Sequence, residues 1–419
     1  MKLELHLLQN FPPSCLNRDD TNSPKDCEFG GVRRARISSQ SLKRAIRQDF
    51  EKQHRVPAEA LAVRTKRIVE RVADLVAKTK QHDRVETELL IEKLLAAAGL
   101  DVVKKEGSDT KTQYLLFLPS RSIEALASIV TEQWDGLLKV FGGQGEAKAE
   151  EAKATDAKKK KSDKKAKSAG ASEALGEELT QRVQSLLFER RQTPELALFG
   201  RMIADKPDHN VDAACQVAHA ISTHRVAMEF DFYTAVDDLK PRGDSGADMM
   251  GTIQFNSACF YRYSVVDLDQ LARTLGGLEP KAKPSAAEKK AAVEAARAWV
   301  QATIHAIPSA RQNTFAAFTP PALVLAATRT AGNPLSLANA FVKPVRPGGR
   351  DGEDLLSESS KALGQHLDDV IGMYGNAGTT FRVNLLGDLP FSTNAARAKN
   401  QAELMAAIDA DLAAWERSA

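Results

Sequence analysis

Between Gly30 and Arg47 the chain reads GGVRRARISSQSLKRAIR, which sets Arg33, Arg34, Arg36, Lys43, Arg44 and Arg47 within fifteen residues and no acid among them. A row of cations suits a row of phosphates, because each neutralised phosphate releases counterions whatever the base sequence. Gly30 and Gly31 permit close backbone approach, and Ser38, Gln40, Lys43 and Arg44 follow just beyond. Neither the glycine spacing nor the Gly-Lys-Ser/Thr ending of a nucleotide-binding phosphate loop is present. The line of cations therefore favours a polymer backbone over a nucleotide. A merely solvated basic helix face is the competing reading.

A second candidate is FDFYTAVDDL, residues 230–239. Strand alternation puts Phe230 and Phe232 on one face and Tyr233 on the other. Phe230 is expected in the core, whereas Phe232 and Tyr233 are expected to stack on bases or wedge between them. Asp231, Asp237 and Asp238 are the best candidates for metal-dependent phosphodiester cleavage. Adjacent Asp237 and Asp238 cannot both face one site from an extended backbone, and the loop after them suits turn capping instead. Gly200-Arg201-Met202 reads two ways: Arg201 on a phosphate with Met202 against a base, or a surface arginine beside a core methionine. Arg311, at the start of RQNTFAAFTP, is open between RNA, a neighbouring subunit and a plain surface role. The eight histidines form no close metal-binding pair, and no nucleophilic triad follows from local spacing. Cys15, Cys27, Cys215 and Cys259 lack a metal-ligand rhythm, so reduced thiols and no cofactor are expected.

These residues need elements to hold them. Lys2 to Leu8 alternates, with Leu3, Leu5 and Leu7 on one face and Lys2, Glu4 and His6 on the other, which predicts a strand with one buried side. Asn10 to Gly31 is expected to be an irregular binding loop containing Arg18 and Lys25. A helix begins after Ser38 or Ser39, with Leu42, Ile46 and Phe50 as its core stripe and Gln40, Lys43, Arg44 and Arg47 outside. Its serine cap leaves other amides to meet a phosphate. The pattern from Pro57 to about Leu138 is helical, with an alternating excursion at residues 113–118. Residues 142–170, dominated by Lys, Glu, Ala and Gly, cannot offset their ordering entropy and are expected to be disordered. Further helices are expected at 173–188, 210–224, 285–307, 355–370 and 402–415, and a buried strand at 322–327. Strands at 229–236 and 252–266 flank a Pro/Gly loop and form a projecting hairpin.

With 419 residues, 43% hydrophobic and 27% charged, the chain is globular and large enough for more than one domain. Its formal net charge is only +3, so the argument for nucleic acid rests on where the bases cluster. No signal segment and no apolar run of bilayer length is present, which predicts a soluble, cytoplasmic protein without a membrane partner.

The blocks LHLLQNFPPSCLNRDD (5–20), FGGVRRARISSQSLKRAIR (29–47), FYTAVDDL (232–239), RQNTFAAFTPPALVL (311–325) and PLSLANAFVKPV (334–345) make the chain resemble the backbone subunit of the type I-E CRISPR Cascade complex, the CasC family. GRM (200–202), AHAISTHRV (218–226) and ACFYRY (258–263) extend the resemblance. It implies an α+β fold shaped like a hand: a modified RNA-recognition, ferredoxin-like palm, an inserted helical fingers domain and a thumb hairpin. The palm would span 1–56 and 209–419, the fingers 57–208, and the thumb about 226–256. Arg18, Lys25, Ser38, Gln40, Lys43, Arg44 and Arg47 would line the palm groove for guide RNA. Arg201 and Met202 would approach from the fingers, and Phe232, Tyr233 and Thr234 would form the thumb, where the family commonly has Trp-Phe-Thr.

By this resemblance, copies assemble head to tail on one CRISPR guide RNA, join other Cascade subunits and present guide segments to a target DNA strand. No catalysis is implied. A metal-dependent ribonuclease using thumb aspartates and a generic single-stranded RNA-binding protein are the alternatives.

Overall fold

The computed structural model describes residues 1–80, 82–103, 110–141, 162–203, 206–235, 249–348, 354–376 and 378–418. In chain order the elements begin with β1 (Lys2–Ser14), β2 (Asp26–Phe29), β3 (Val32–Ile37), α1 (Ser39–Lys52), β4 (Ala62–Thr65), α2 (Ile68–Thr79) and α3 (Arg84–Ala97). Next come β5 (Val102–Val103), β6 (Lys111–Thr112), β7 (Leu116–Pro119), α4 (Ser120–Glu132), α5 (Trp134–Phe141), α6 (Ser162–Leu187) and α7 (Pro194–Phe199). Then follow β8 (Cys215–Val217), β9 (Ala220–Ser222), β10 (Glu229–Ala235), β11 (Met249–Asp267), α8 (Leu268–Gly276), α9 (Ala286–His305) and α10 (Gln312–Phe315). The last are β12 (Leu323–Arg329), α11 (Leu355–Tyr374), β13 (Thr379–Leu385), β14 (Ala396–Ala398) and α12 (Gln401–Arg417).

The chain divides into two compact units, one of Met1–Val56, Ala213–Arg273 and Pro280–Ala419, the other of Pro57–Asp212 and Thr274–Glu279. The first is α+β. Its sheet runs β14-β13-β12-β1-β11-β9-β3-β2, with β8 and β10 also paired to β11. Every described pairing in it is antiparallel except β13 with β14. Central strand β1 pairs β11 on one side (Leu5 opposite Ser264) and β12 on the other (Leu5 opposite Ala326).

That position corrects the expectation that β1 is buried on one side only. Glu4 and His6 are as inaccessible as the leucines between them. Both faces of a central strand are covered, so its polar side chains must find partners inside. Glu4 accepts from Tyr263 Oη (2.8 Å), Arg329 Nε (2.7 Å) and the Leu335 amide (2.8 Å). His6 Nδ1 lies 2.8 Å from Tyr261 Oη, which itself accepts from the Leu337 amide at 2.9 Å. Burial, helped by the Arg329 charge, pushes the His6 imidazole down to about 3. The ring is therefore neutral when folded.

This carries a pH dependence whose sign is fixed. Unfolded His6 titrates near its ordinary 6.5. Its contribution is complete above that pH and is lost as pH falls toward 3, by up to about 1.4 kcal/mol per pH unit. His209, His219, His224 and His305 are lowered chiefly by burial as well and add in the same direction. Thermal unfolding followed from pH 7 to pH 5 should show a falling midpoint, with a shallower fall in His6→Gln; equal slopes would refute the buried neutral ring.

Three further expectations change. Residues 10–31 are not one loop, because β1 continues to Ser14 and β2 begins at Asp26. The helix expected over 210–224 is absent; Cys215–Val217 and Ala220–Ser222 pair with β11, and β9 also pairs β3. Pairing within the sheet outweighs the weak helical preference of the alanines there. Of the insertion expected to be disordered, residues 142–161 lie outside the described residues, and Ser162 onward belongs to helix α6. An Ala- and Lys-rich sequence is a good helix former once its far end is anchored. Leu179, Val183 and Leu187 provide that anchor.

The helix α1 stripe is as expected, with Leu42, Ile46 and Phe50 all buried. The second unit is mainly helical, with α2–α6 enclosing a core that includes Val72, Ile91, Leu94, Leu126, Val130 and Val183, and β4 pairs β7. No helix among the described residues is long and apolar enough to cross a membrane.

Candidate nucleic-acid interface

The cationic segment resolves into inward and outward parts. Gly30 and Gly31 turn β2 into β3 with φ of +63° and +72°. A Cβ on Gly30 would lie 1.9 Å from the Val342 carbonyl oxygen, so only glycine fits. Arg34, grouped with the phosphate-facing cations by sequence, is fully buried. Its guanidinium donates to the carbonyls of Phe29 (3.2 Å), Ser222 (3.2 Å), Phe341 (2.6 Å) and Val342 (3.3 Å). Four backbone acceptors consume its planar fork, so Arg34 clamps the β2–β3 hairpin rather than meeting a ligand. Arg33 is exposed but paired with Asp26. Arg36 donates to the Asp26 carbonyl at 3.0 Å.

Helix α1 presents the outward part. Gln40 and Arg44 are exposed, and Lys43 is half-buried beside Cys215, whose thiol burial pushes up to about 12. Arg47 is half-buried and already engaged within the protein. Ser38 is the serine cap expected at the start of the helix, and only the groove-lining role implied by the resemblance differs. It is buried, and its hydroxyl accepts from the Ser41 amide, so it caps the helix instead of lining a groove. Asn17 Oδ1 accepts from the Ser38 amide (2.8 Å), which ties the β1–β2 loop to the cap. His219 Nδ1 accepts from the Ser39 amide (3.1 Å). Burial, then Arg36 and Lys25, hold that imidazole below its ordinary value, as an accepting nitrogen requires.

Arg18 and Lys25 sit in the loop before β2. Asp19 organises it, accepting from the Thr21 amide (2.9 Å), the Thr21 hydroxyl (2.8 Å) and the Ser23 amide (2.9 Å). Between this loop, α1 and the turn before α10 lies a polar cleft of about 430 Å³, lined by Arg18, Arg44 and Arg311 among others.

Strand β11 supplies the second feature. It runs nineteen residues, from Asp267 in the sheet to Met249 in a hairpin with β10. All seven residues of β10 are exposed. Phe232 and Phe230 are 63% and 64% exposed, so the core expected for Phe230 is corrected: among the described residues no layer packs over that face of the hairpin. Tyr233 is partly covered because its ring lies across Gly251, where a Cβ would approach its oxygen to 2.5 Å. Thr234 faces Met250. At the hairpin base Phe255 contacts Phe315, with centroids 5.8 Å apart. Asp231 is exposed on β10, and Asp237 and Asp238 lie outside the described residues. Among the described residues no group of three His, Cys, Asp or Glu is placed to hold a metal ion.

In the second unit, the choice framed for Arg201 and Met202 inverts. Arg201 is buried and donates to the His209 carbonyl (3.1 and 3.2 Å) and the Phe117 carbonyl (3.5 Å), with its guanidinium 5.8 Å from the Phe188 ring. Burial lowers it to about 10. A side chain spent on internal acceptors does not contact phosphate. Met202 instead is 83% exposed.

A family model described as CT1975-like protein, of the Cas type, matches residues 3–410. The chain belongs to this family. The CT1975-like chain is also similar to a chain of a "CRISPR RNA-guided surveillance complex, pre-nicking", at 28% identity and a TM-score of 0.77 over 98% of this chain and 100% of that one. A chain of a "CRISPR RNA-guided surveillance complex" matches at 23% identity and a TM-score of 0.69, covering 98% and 100%, and shows likeness of fold. No curated protein matches significantly.

Sequence reasoning missed three residues that position this CT1975-like site. Arg34 was indistinguishable from its neighbours in the run RRAR. His219 lies 180 residues from the amide it serves. Gln312, inside a block already singled out, is buried and bridges its own segment through Pro308 and Ala317.

Proposed function

We propose that this chain is a non-catalytic, guide-RNA-binding subunit of a Cascade-type complex, and specifically a type I-E backbone subunit that assembles head to tail on one CRISPR RNA. The observation that carries the reading is the 28% identical match over 98% of the chain to a chain of an RNA-guided surveillance complex. The finer type I-E assignment draws on the sequence blocks at 5–20, 29–47 and 311–345.

In this reading the first unit is the palm, of modified RNA-recognition type, and the second is the fingers. Arg18, Lys25, Gln40, Lys43, Arg44 and Arg47 meet guide phosphates and fix register without reading bases, while Ser38 orders the helix that carries them. Sequence specificity then comes from pairing between guide and target DNA strand. Met202 lies against the guide, backed by the internally bonded Arg201. Phe232, Tyr233 and Thr234 of one copy interrupt stacking in the guide, at a cost of roughly a few kcal/mol per step. Aromatic contact and subunit packing offset that cost. A head-to-tail interface leaves a free surface at each end and so supports growth along the RNA.

The test is the RNA that copurifies from cells carrying the other Cascade subunits. One repeat-flanked size class is expected, protected from nuclease at regular intervals, and a heterogeneous pool would overturn the reading. In the Phe232→Ala/Tyr233→Ala double variant most affinity should survive while the interval pattern blurs. Magnesium-dependent target cleavage abolished by Asp231→Asn would instead favour a nuclease.

A further inference from the structure

We propose that the cleft between the β1–β2 loop, α1 and the turn before α10 is a phosphodiester pocket in which Arg18, Arg44 and Arg311 together seat one backbone phosphate, a site that presupposes the RNA-binding reading above. Its volume of about 430 Å³ and its lining, which adds Asn17, Asp19 and Gln48, make it roomy and polar. Three guanidiniums face a single carboxylate there. Asp19 is occupied by its bonds to Thr21 and Ser23, and these hold its carboxyl below the usual range. Among the described residues Arg18 bonds only the neutral Asn22 side chain (3.0 Å), and neither Arg44 nor Arg311 has a carboxylate partner. Arg311 Nε is buried without any hydrogen-bond partner. A buried orphan donor beside two further cations is a site prepared for an anion.

The backbone is held to aim Arg311. Arg311 and Ala316 adopt φ of +48° and +47°, a left-handed conformation that residues with a side chain rarely take. Gln312, buried between them, maintains it: Nε2 donates to the Pro308 and Ala317 carbonyls (3.3 Å each), and Oε1 accepts from the Ala317 amide (2.8 Å). Arg18 and Arg311 converge. Burial raises the neighbouring Cys15 thiol, and these two charges are the ones that pull it back. Arg44 also belongs to the α1 row with Lys43 and Arg47, so a phosphate seated here continues that line, which favours a polynucleotide over a protein carboxylate.

Labelled single-stranded RNA titrated against the full chain over a series of salt concentrations tests this. Arg311→Gly, which suits the left-handed backbone, and Arg311→Gln should each lower the slope of log affinity against log salt, by at most about 0.7 for the one phosphate seated there. Affinity should fall about tenfold for unrelated base sequences. Arg311→Lys keeps the charge and should restore the slope but not the whole affinity. A folded Arg311→Gly chain with the wild-type slope overturns the pocket, as does altered self-association at unchanged slope, which would mark a protein carboxylate as the occupant. If wild-type chain binds RNA without salt dependence, or not at all, the RNA-binding reading itself fails; the two failures are thus distinct.

Discussion

Replacing Lys43, Arg44 and Arg47 together by alanine should weaken binding to single-stranded RNA by about a hundredfold at about 0.1 M salt, equally for unrelated sequences. The slope of log affinity against log salt should fall by about 1.5–2, since each phosphate contact on a single strand contributes about 0.7. The fold should survive, because the core side of α1 is carried by Leu42, Ala45, Ile46 and Phe50, which the variant keeps. Lys43 and Arg44 are expected to supply most of the effect. Arg47 is engaged within the protein and contributes less. Salt titration by fluorescence anisotropy reads both quantities, and an unaltered slope in a folded triple variant would remove α1 from the interface.

The second large effect is on stability. Arg34→Ala should cost about 3–5 kcal/mol, because it strips a buried guanidinium from four backbone carbonyls and leaves those acceptors unpaired. Two of them, Phe341 and Val342, belong to the turn against which Gly30 packs, so the β2–β3 hairpin loses its seat. Arg34→Lys should be intermediate, as an ammonium cannot span the same acceptors. Urea unfolding measures the loss. Below the transition the RNA salt slope should match wild type, which separates Arg34 from Arg44 although sequence treats them alike. A loss under about 1 kcal/mol would mean that the carbonyls are satisfied some other way.

How far the sequence could be read follows from where each side chain's partners lie. The apolar stripe of α1 was legible because a helix repeats within its own length, and Leu42, Ile46 and Phe50 satisfy the period without reference to anything distant. The alternation of β1 was equally plain, yet its second buried face was not. Glu4 finds its partners 259 and 325 residues away, at Tyr263 and Arg329, and no local pattern announces them. Phe230 illustrates the converse. Alternation placed it correctly beside Phe232, but burial depends on whether a second layer covers the hairpin, and all seven residues of β10 stay exposed. Arg201 and Met202 inverted for the same reason. An arginine becomes an interior residue only if carbonyls such as that of His209 converge on it, and that convergence is tertiary.

Strand β11 gives the hairpin a built-in measure. Its root is fixed by pairing with β1 from Lys2 to Phe11, so the outer seven residues that pair β10 form an arm of about 23 Å at a rise of 3.3 Å per residue. Every copy of the chain inherits the same reach from its own peptide geometry. How far from the sheet such an arm can touch another molecule is therefore written in the protein, and deleting a residue pair from each of its two strands would shorten that reach by about 7 Å.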